Sequence, residues 1–161
     1  MSQTNELEIM ERIALDLEHV EESLASSFNT GAEDFNALIR PLSAAGGKRL
    51  RAQLCLLIAN AGTSIERQRI KIAEAVEMLH LATLIHDDVL DQAEIRRGED
   101  TIHMHKGNKV AILSGDYLFA KAFKIVSEMT NMKYLQVFSH IITCLVEGEF
   151  MQMEDVYRID Q

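Results

Sequence analysis

Residues 77–98 read EMLHLATLIHDDVLDQAEIRRG, a run without proline whose single glycine is its last residue. Such a run favours a long helix, because nothing inside it interrupts the backbone hydrogen-bond pattern. On that helix Asp87 and Asp91 are four residues apart and Asp88 and Asp91 are three apart, so all three carboxylates lie on one side. We therefore predict a helix from about Ile65 to Asp91 that ends in an acidic cluster.

The acidic cluster lies where negative charge is unfavourable. A helix C-terminus carries a partial negative charge, and three carboxylates there repel both the dipole and one another. A hard divalent cation compensates this repulsion, and Mg²⁺ typically bridges carboxylates to the phosphates of a substrate. The pattern predicts that Asp87, Asp88 and Asp91 are the metal ligands and catalytic residues of a magnesium–diphosphate site. The alternative is an acidic helix end that is merely solvated.

Two adjacent arginines follow the acidic cluster. Arg96 and Arg97 belong to a polar loop that we predict for Gln92 to Asn108. A guanidinium group matches the geometry of a phosphate, and two neighbouring arginines can reach two anionic groups. By themselves they are typical surface residues, but beside three aspartates they favour a diphosphate ligand.

A second basic segment, GGKRLR at residues 46–51, stands at the start of a helix that we predict from Lys48 to about Ala61. Glycines at this point let an anion approach the free N–H groups and the positive end of the helix dipole. Lys48 and Arg51 are three residues apart and would share a helical face. Basic residues in a first turn oppose the dipole, so a bound anion would resolve a conflict that an ordinary turn leaves in place.

The helix face upstream of Asp87 is mostly apolar. Thr83, Leu79 and Val76 precede Asp87 at helical spacing, and His80 lies on the same side. These residues are either ordinary core with a hydrogen-bonded histidine, or the lining of an apolar slot that holds a hydrocarbon chain beneath the metal. The pattern leaves both readings open, because a buried helix shows the same spacing.

Composition and charge set the class of protein. The 161 residues are 47% hydrophobic, with 1 proline and 8 glycines, and they show no strand-like alternation. The net charge of −9 disfavours a nucleic-acid partner. No apolar run approaches the ~20 residues of a transmembrane segment, and no signal-type sequence opens the chain, so we expect a cytoplasmic protein. We predict one all-α domain over residues 1–161 with about six helices, at Thr4–Phe28, Asp34–Ser43, Lys48–Ala61, Ile65–Asp91, Lys109–Thr130 and Lys133–Tyr157.

Taken together, these segments resemble the trans-prenyl diphosphate synthases, the polyprenyl synthetase family. The matching stretches are GGKRLR at 46–51, EMLHLATLIHDDVLDQAEIRRG at 77–98, GNKVAILSGDYLF at 107–119 and GEFMQ at 148–152. Their order and spacing fit that family from about residue 40 to residue 161. The resemblance implies a helical bundle of the isoprenoid synthase type, of which residues 1–161 are the N-terminal, truncated part that carries the first aspartate-rich motif.

The resemblance also implies a prenyltransferase of isoprenoid biosynthesis. Magnesium on Asp87, Asp88 and Asp91 would hold an allylic prenyl diphosphate, and isopentenyl diphosphate would add to it to give a longer trans-polyprenyl diphosphate. By the family pattern isopentenyl diphosphate would be held by Lys48, Arg51, His80 and Arg97, the allylic diphosphate by Arg96, and Gln152 would lie near the substrate.

In this family, side-chain bulk just upstream of the first aspartate sets product length. The resemblance assigns that position to Ala82 and Thr83, neither of which is aromatic. The first level of the slot would then stay open and favour a product longer than farnesyl diphosphate. Leu79 and Val76 have side chains of moderate size and would partly limit the depth of the slot further from Asp87.

A later Lys-Thr pair and a second aspartate-rich motif of the family have no counterpart in residues 1–161. The chain is therefore expected to be a piece of a longer synthase, one subunit of a split, heteromeric enzyme, or a non-catalytic partner of another synthase. Each case would leave apolar helix faces uncovered, so a homodimer or heteromer is expected. Among other classes, a metal phosphohydrolase of the HD type would use His86 and Asp87 with other histidines, and a terpene cyclase would need no site at Lys48 and Arg51.

Overall fold

The chain is built almost wholly from helices, which confirms the all-α prediction. The computed structural model describes residues 3–28, 33–44, 47–62 and 65–156. Within these ranges there are seven helices and one two-stranded antiparallel sheet. The helices are α1 Gln3–Ser27, α2 Glu33–Ala44, α3 Leu50–Ala61, α4 Glu66–Leu90, α5 Ile102–Lys106, α6 Asn108–Ser127 and α7 Met132–Val156, and the strands β1 Ile95–Arg96 and β2 Glu99–Asp100 lie between α4 and α5.

Helix α4 is the centre of the bundle. Its largest interface is with α6, and α1 and α3 also pack on it. Small side chains bring α4 and α6 close together: Ala75 and Ala82 of α4 and Ala111 and Ala122 of α6 are at most 1% exposed. The largest fully buried side chains of the core are Val20, Leu24, Phe28, Ile39, Leu56, Met78, Leu118 and Val126. Burying one such side chain contributes about 1.5–3 kcal/mol, so packing holds helices such as α3 and α4, which lack an N-terminal side-chain cap of their own.

At one point of the α4–α6 interface a glycine is required. The ring of His86 stacks on Phe119, with 5.6 Å between the ring centroids, and its Nε2 donates to the Ile112 carbonyl at 3.1 Å. A Cβ built on Gly115 would lie 2.2 Å from His86 Nε2. The missing side chain of Gly115 therefore makes room for His86, the residue that immediately precedes the aspartates.

Helix α4 ends in a Schellman motif that leads the chain into β1. The N–H of Ala93 bonds to the Asp88 carbonyl at 3.0 Å, and the N–H of Gln92 bonds to the Val89 carbonyl at 3.4 Å. Gln92 has φ 53°, the left-handed conformation that glycine usually supplies at this position. These bonds satisfy carbonyl groups at the negative end of the helix.

The loop predicted for Gln92 to Asn108 contains regular structure, so that prediction is wrong. It holds the β1–β2 hairpin and α5, the helix beyond the predicted six. Arg97 and Gly98 form the two-residue turn, with φ of 54° and 86°. Positive φ at both residues is the type I′ geometry that Asn-Gly or Asp-Gly usually provides, so Arg-Gly gave only a weak signal. Strands of two residues are also too short to show an alternating pattern.

Helix α3 begins later than predicted. Arg49 is its N-cap with φ 46° and ψ 36°, a left-handed conformation, and the helix starts at Leu50. Lys48 therefore lies in the loop before α3, and the prediction that Lys48 and Arg51 share a helical face is wrong. The other helix bounds are close to those predicted, and Gly46 and Tyr157 lie outside the described residues.

Part of the surface is apolar. Helix α7 packs mainly on α6 and carries many exposed apolar side chains: Val137, Ile141, Leu145, Val146, Phe150, Met151 and Met153. Large exposed apolar surfaces of this kind commonly mark a face that another polypeptide covers. None of the described helices combines the length and the apolarity that crossing a membrane requires.

Replacing Gly115 with alanine is expected to destabilise the fold. The added methyl group collides with the His86 ring, so the ring must leave Phe119 or α6 must move away from α4. Overpacking of this kind costs about 1–3 kcal/mol. Urea unfolding followed by circular dichroism measures the change in the free energy of unfolding.

The matched control is Gly148→Ala in α7, where nothing lies within 4 Å of an added Cβ. That exchange should stabilise the protein by up to about 1 kcal/mol, because alanine is the better helix former. Equal effects of the two substitutions would contradict the contact between Gly115 and His86.

Candidate active site

Asp88 is the most buried of the three aspartates and is already paired. It is 7% exposed, and its Oδ1 accepts a bond from Arg96 Nε at 2.6 Å. Strand β1 carries Arg96 to this position directly after the end of α4. A carboxylate bonded to a guanidinium group at this distance has its charge largely compensated. The structure thus joins one predicted metal ligand to the residue predicted to hold the allylic diphosphate.

Asp87, Asp91 and Glu149 form an acidic patch to which α4 and α7 both contribute. Asp87 is half-buried and Asp91 is exposed. Burial, and then the negative charges of Glu149 and Asp91, raise the pKa of Asp87 above its ordinary value, against the opposing effect of Arg96. Ionised Asp87 therefore lies in a negative potential that a cation would relieve. The acidic patch offers carboxylate oxygens in a negative potential, and both properties suit a divalent metal ion.

A different trio of side chains is drawn more tightly together. Asp16, His19 and Glu66 bring their ligand atoms within 4.8 Å of one another, and no other acidic, histidine or cysteine trio in the described ranges does so. Asp16, however, accepts two bonds from Arg69, at 2.6 and 2.9 Å. The guanidinium charge repels a cation, so this trio suits an ion pair between α1 and α4 better than a metal ion.

Arg51, His80 and Arg97 form a cationic cluster beside the acidic patch. Arg51 Nη1 donates to His80 Nε2 at 3.1 Å. Burial, followed by the positive charge of Arg51, lowers the pKa of His80, and Arg97 and Arg96 act in the same direction, although Glu77 opposes them. The lowered pKa favours the neutral imidazole, whose Nε2 can accept the bond from Arg51. Sequence spacing placed His80 on the face of Asp87, but it gave no indication of this partner.

The loop before α3 brings Lys48 next to the cationic cluster. The Arg97 guanidinium lies against Gly47, where a Cβ would be 3.4 Å from Nη2. The Lys48 carbonyl accepts a bond from Gln53 Nε2 at 2.6 Å. The Lys48 side chain is exposed. The loop backbone is thus tied to α3, while the ammonium group of Lys48 stays accessible to a ligand.

Comparison with known proteins decides the family. A family model that describes polyprenyl synthetases matches residues 32–161. This chain belongs to the polyprenyl synthetase family. Heptaprenyl diphosphate synthase component 2 of Geobacillus stearothermophilus is 39% identical over 147 residues, which cover 91% of this chain and 46% of that protein. Octaprenyl diphosphate synthase of Escherichia coli K12 is 32% identical over 148 residues, which cover 92% of this chain and 46% of that protein.

Solved structures of the family share the fold. A polyprenyl synthase from Caulobacter crescentus CB15, crystallised with calcium and isoprenyl diphosphate, superposes with a TM-score of 0.84 at 35% identity over 90% of this chain and 44% of that one. The chain thus spans less than half the length of these relatives. The match gives no support to an HD-type phosphohydrolase or a terpene cyclase.

The residues predicted to line an apolar slot differ in exposure. Ala82 is fully buried and Leu79 is 5% exposed, so both belong to the core. Val76 and Thr83 are half-buried and lie at helical spacing from Asp87. The Thr83 hydroxyl donates to the His80 carbonyl at 2.9 Å. Thr83 lies one turn before Asp87, so of the four residues predicted for the slot it is the nearest to the acidic patch.

A cavity of about 730 Å³ lies along a neighbouring face of α4. None of the four predicted slot residues lines it. Its lining combines apolar residues of α2 and α4 with charged residues at and after the end of α4, among them Leu38, Pro41, Leu81, Leu84, Ile85, Asp88, Arg96 and Arg97. Sequence reasoning missed this space because leucine and isoleucine on α4 have the pattern of ordinary core.

Two residues of the matched stretch GEFMQ take different positions on α7. Gln152, predicted to lie near the substrate, is exposed, whereas Glu149 is half-buried and acts electrostatically on Asp87. No role was predicted for Glu149. The only sequence signal for it was its place in the stretch, because nothing local shows that α7 returns to the end of α4.

Without metal, Asp87→Asn is expected to stabilise the protein at pH 7. A carboxyl whose pKa is raised on folding destabilises the ionised native state, and this cost disappears below its unfolded pKa of about 3.8. Removing the charge should raise the melting temperature by roughly 1–3 °C at pH 7 and give no gain at about pH 3. Scanning calorimetry in EDTA provides the measurement.

Asp88→Asn is the comparison, because it weakens the bond to Arg96 and should lower the melting temperature at pH 7. If Asp87→Asn lowered it as well, the acidic patch would not be a centre of repulsion.

Proposed function

We propose that this chain contributes a magnesium-dependent prenyltransferase site, at which an allylic prenyl diphosphate condenses with isopentenyl diphosphate to a longer trans-polyprenyl diphosphate. One geometric observation carries the proposal. Arg96 bonds to Asp88 at 2.6 Å, and the next residue, Arg97, lies against Gly47 in the loop that carries Lys48, so the acidic patch and the cationic cluster adjoin. Diphosphates bound there would meet metal ligands on one side and N–H donors on the other. Family membership supports the same reaction.

The two diphosphates would be held by different residues. Magnesium on Asp87 and Asp91, with Asp88 beside them, would act as a Lewis acid on the leaving diphosphate. Arg96 uses Nε for Asp88, and no hydrogen bond within the described residues engages its two Nη groups, whose N–H donors would bind the allylic diphosphate. The residues around isopentenyl diphosphate would be Lys48, Arg51, His80 and Arg97.

These residues act by holding two substrates in reacting orientation. The allylic C–O bond breaks and its electron pair leaves with the diphosphate. The double bond of isopentenyl diphosphate supplies the electron pair of the new C–C bond, and loss of a proton from the adduct restores a double bond. The chain's own contribution is binding and orientation, because both sets of charged groups flank the same end of α4.

Binding of geranyl thiodiphosphate, a poorly ionising allylic analogue, tests the proposal. Titration calorimetry with magnesium should show that Asp87→Asn and Asp91→Asn each weaken binding about tenfold or more, since each removes a metal ligand. Glu66→Gln is the matched control on the same helix, because it removes a carboxylate from the Asp16, His19 and Glu66 trio. If only Glu66→Gln weakened binding, the metal would belong to that trio and the proposed site would be wrong.

A substitution at Thr83 tests the apolar slot proposed beneath the acidic patch. Thr83→Phe should weaken binding of geranylgeranyl thiodiphosphate about tenfold, because the ring fills the space beneath the acidic patch, and should leave dimethylallyl thiodiphosphate unchanged. Thr143→Phe is the control, since Thr143 also bonds a carbonyl one turn back but is exposed on α7. Equal loss for both analogues would place the hydrocarbon chain elsewhere, for example in the cavity beside Asp88.

A role as one component of a heteromeric synthase is a second candidate. The exposed apolar side chains of α7 favour it, and the Geobacillus relative is by its name one component of its enzyme. Condensation activity should then be absent for the chain alone and appear when a polypeptide with the second aspartate-rich motif is added. Activity of a purified homodimer would exclude this candidate.

A further inference from the structure

Arg49 is a buried cation in an unusual conformation. It is 7% exposed, and its left-handed backbone, φ 46° and ψ 36°, is strained for any residue other than glycine. A buried charge also loses its hydration. Both features persist only when the surrounding structure compensates them.

Two carboxylates from different helices provide this compensation. Glu21 of α1 accepts bonds from Arg49 Nε at 2.5 Å and Nη2 at 3.0 Å, and Glu77 of α4 accepts one from Nη1 at 3.4 Å. The paired geometry with Glu21 is the strong, oriented form of the arginine–carboxylate bond. The guanidinium group therefore holds the loop before α3 against α1 and α4 together.

Glu77 also fixes the start of α3. Its Oε1 accepts the backbone N–H of Ala52 at 3.0 Å, so a residue of α4 supplies the cap that α3 lacks in its own sequence. Glu77 precedes His80 by three residues on the same helix face. The bond that sets α3 against α4 is therefore adjacent to the Arg51–His80 contact.

We propose that Arg49 is a positioning residue of the isopentenyl diphosphate site. It stands between Lys48 and Arg51 in the chain, and its fixed left-handed turn determines the angle at which the loop enters α3. Without that turn Lys48 and Arg51 would not reach one ligand. The proposal rests on the function proposed above, and it assigns Arg49 an effect on the isopentenyl site alone.

The test compares Arg49→Met with Arg69→Met. Arg69 also joins α4 to α1, through two bonds to Asp16, but it lies at the start of α4, the end remote from the aspartates. Arg49→Met should raise the dissociation constant for isopentenyl diphosphate about tenfold and leave that for geranyl thiodiphosphate with magnesium unchanged. Arg69→Met should leave both dissociation constants unchanged although it also loses a buried ion pair. Calorimetric titrations measure both constants, and circular dichroism confirms that each variant is folded.

The outcomes separate this inference from the proposed function. If the unsubstituted chain binds neither diphosphate, the proposed function and the role of Arg49 both fall. If the unsubstituted chain binds both diphosphates, and Arg49→Met has the same two dissociation constants as Arg69→Met, then Arg49 is merely structural. Should Arg49→Met fail to fold, Arg49→Lys keeps the charge without the two-pronged bond to Glu21. Lysine should then show the same selective loss, and unchanged affinity for isopentenyl diphosphate would overturn the proposal.

Discussion

Three buried carboxylates on one face of α4 constrain where the neighbouring elements lie. Glu74, Glu77 and Asp88 are between 3% and 7% exposed and recur at helical spacing. A buried charge without a partner is strongly destabilising, so each requires a donor, and no buried side-chain N or O atom among the described residues lacks one. The partners come from α1, from α3 and the loop before it, and from β1: Ser27 for Glu74, Arg49 and the Ala52 N–H for Glu77, and Arg96 for Asp88.

The three aspartates near the end of α4 differ in their partners. Asp88 is compensated by Arg96 and helps to hold the hairpin, whereas Asp87 and Asp91 remain among negative charges. The three aspartates, which look equivalent in sequence, therefore have different electrostatic surroundings. Uncompensated negative charge at a helix C-terminus lowers stability, and this cost is consistent with the cation site proposed above.

The sequence predicted the helices well, because long runs without glycine or proline leave little choice of backbone. It also placed Asp87, Asp91 and His80 near one another, since helical spacing alone determines that. It failed where conformation depends on distant partners. The left-handed Arg49 is stabilised by Glu21 and Glu77, which lie 28 residues away on either side, and no local pattern reports them.

The β1–β2 hairpin links two neighbouring arginines that have different contacts. Arg96 bonds to Asp88, while Arg97 in the type I′ turn lies against Gly47. Because a two-residue turn joins the strands, the hairpin sets the backbone positions of both arginines together. If diphosphates bind at both arginines, as proposed above, any coupling between the two sites is reciprocal, and each ligand alters the affinity of the other by the same factor.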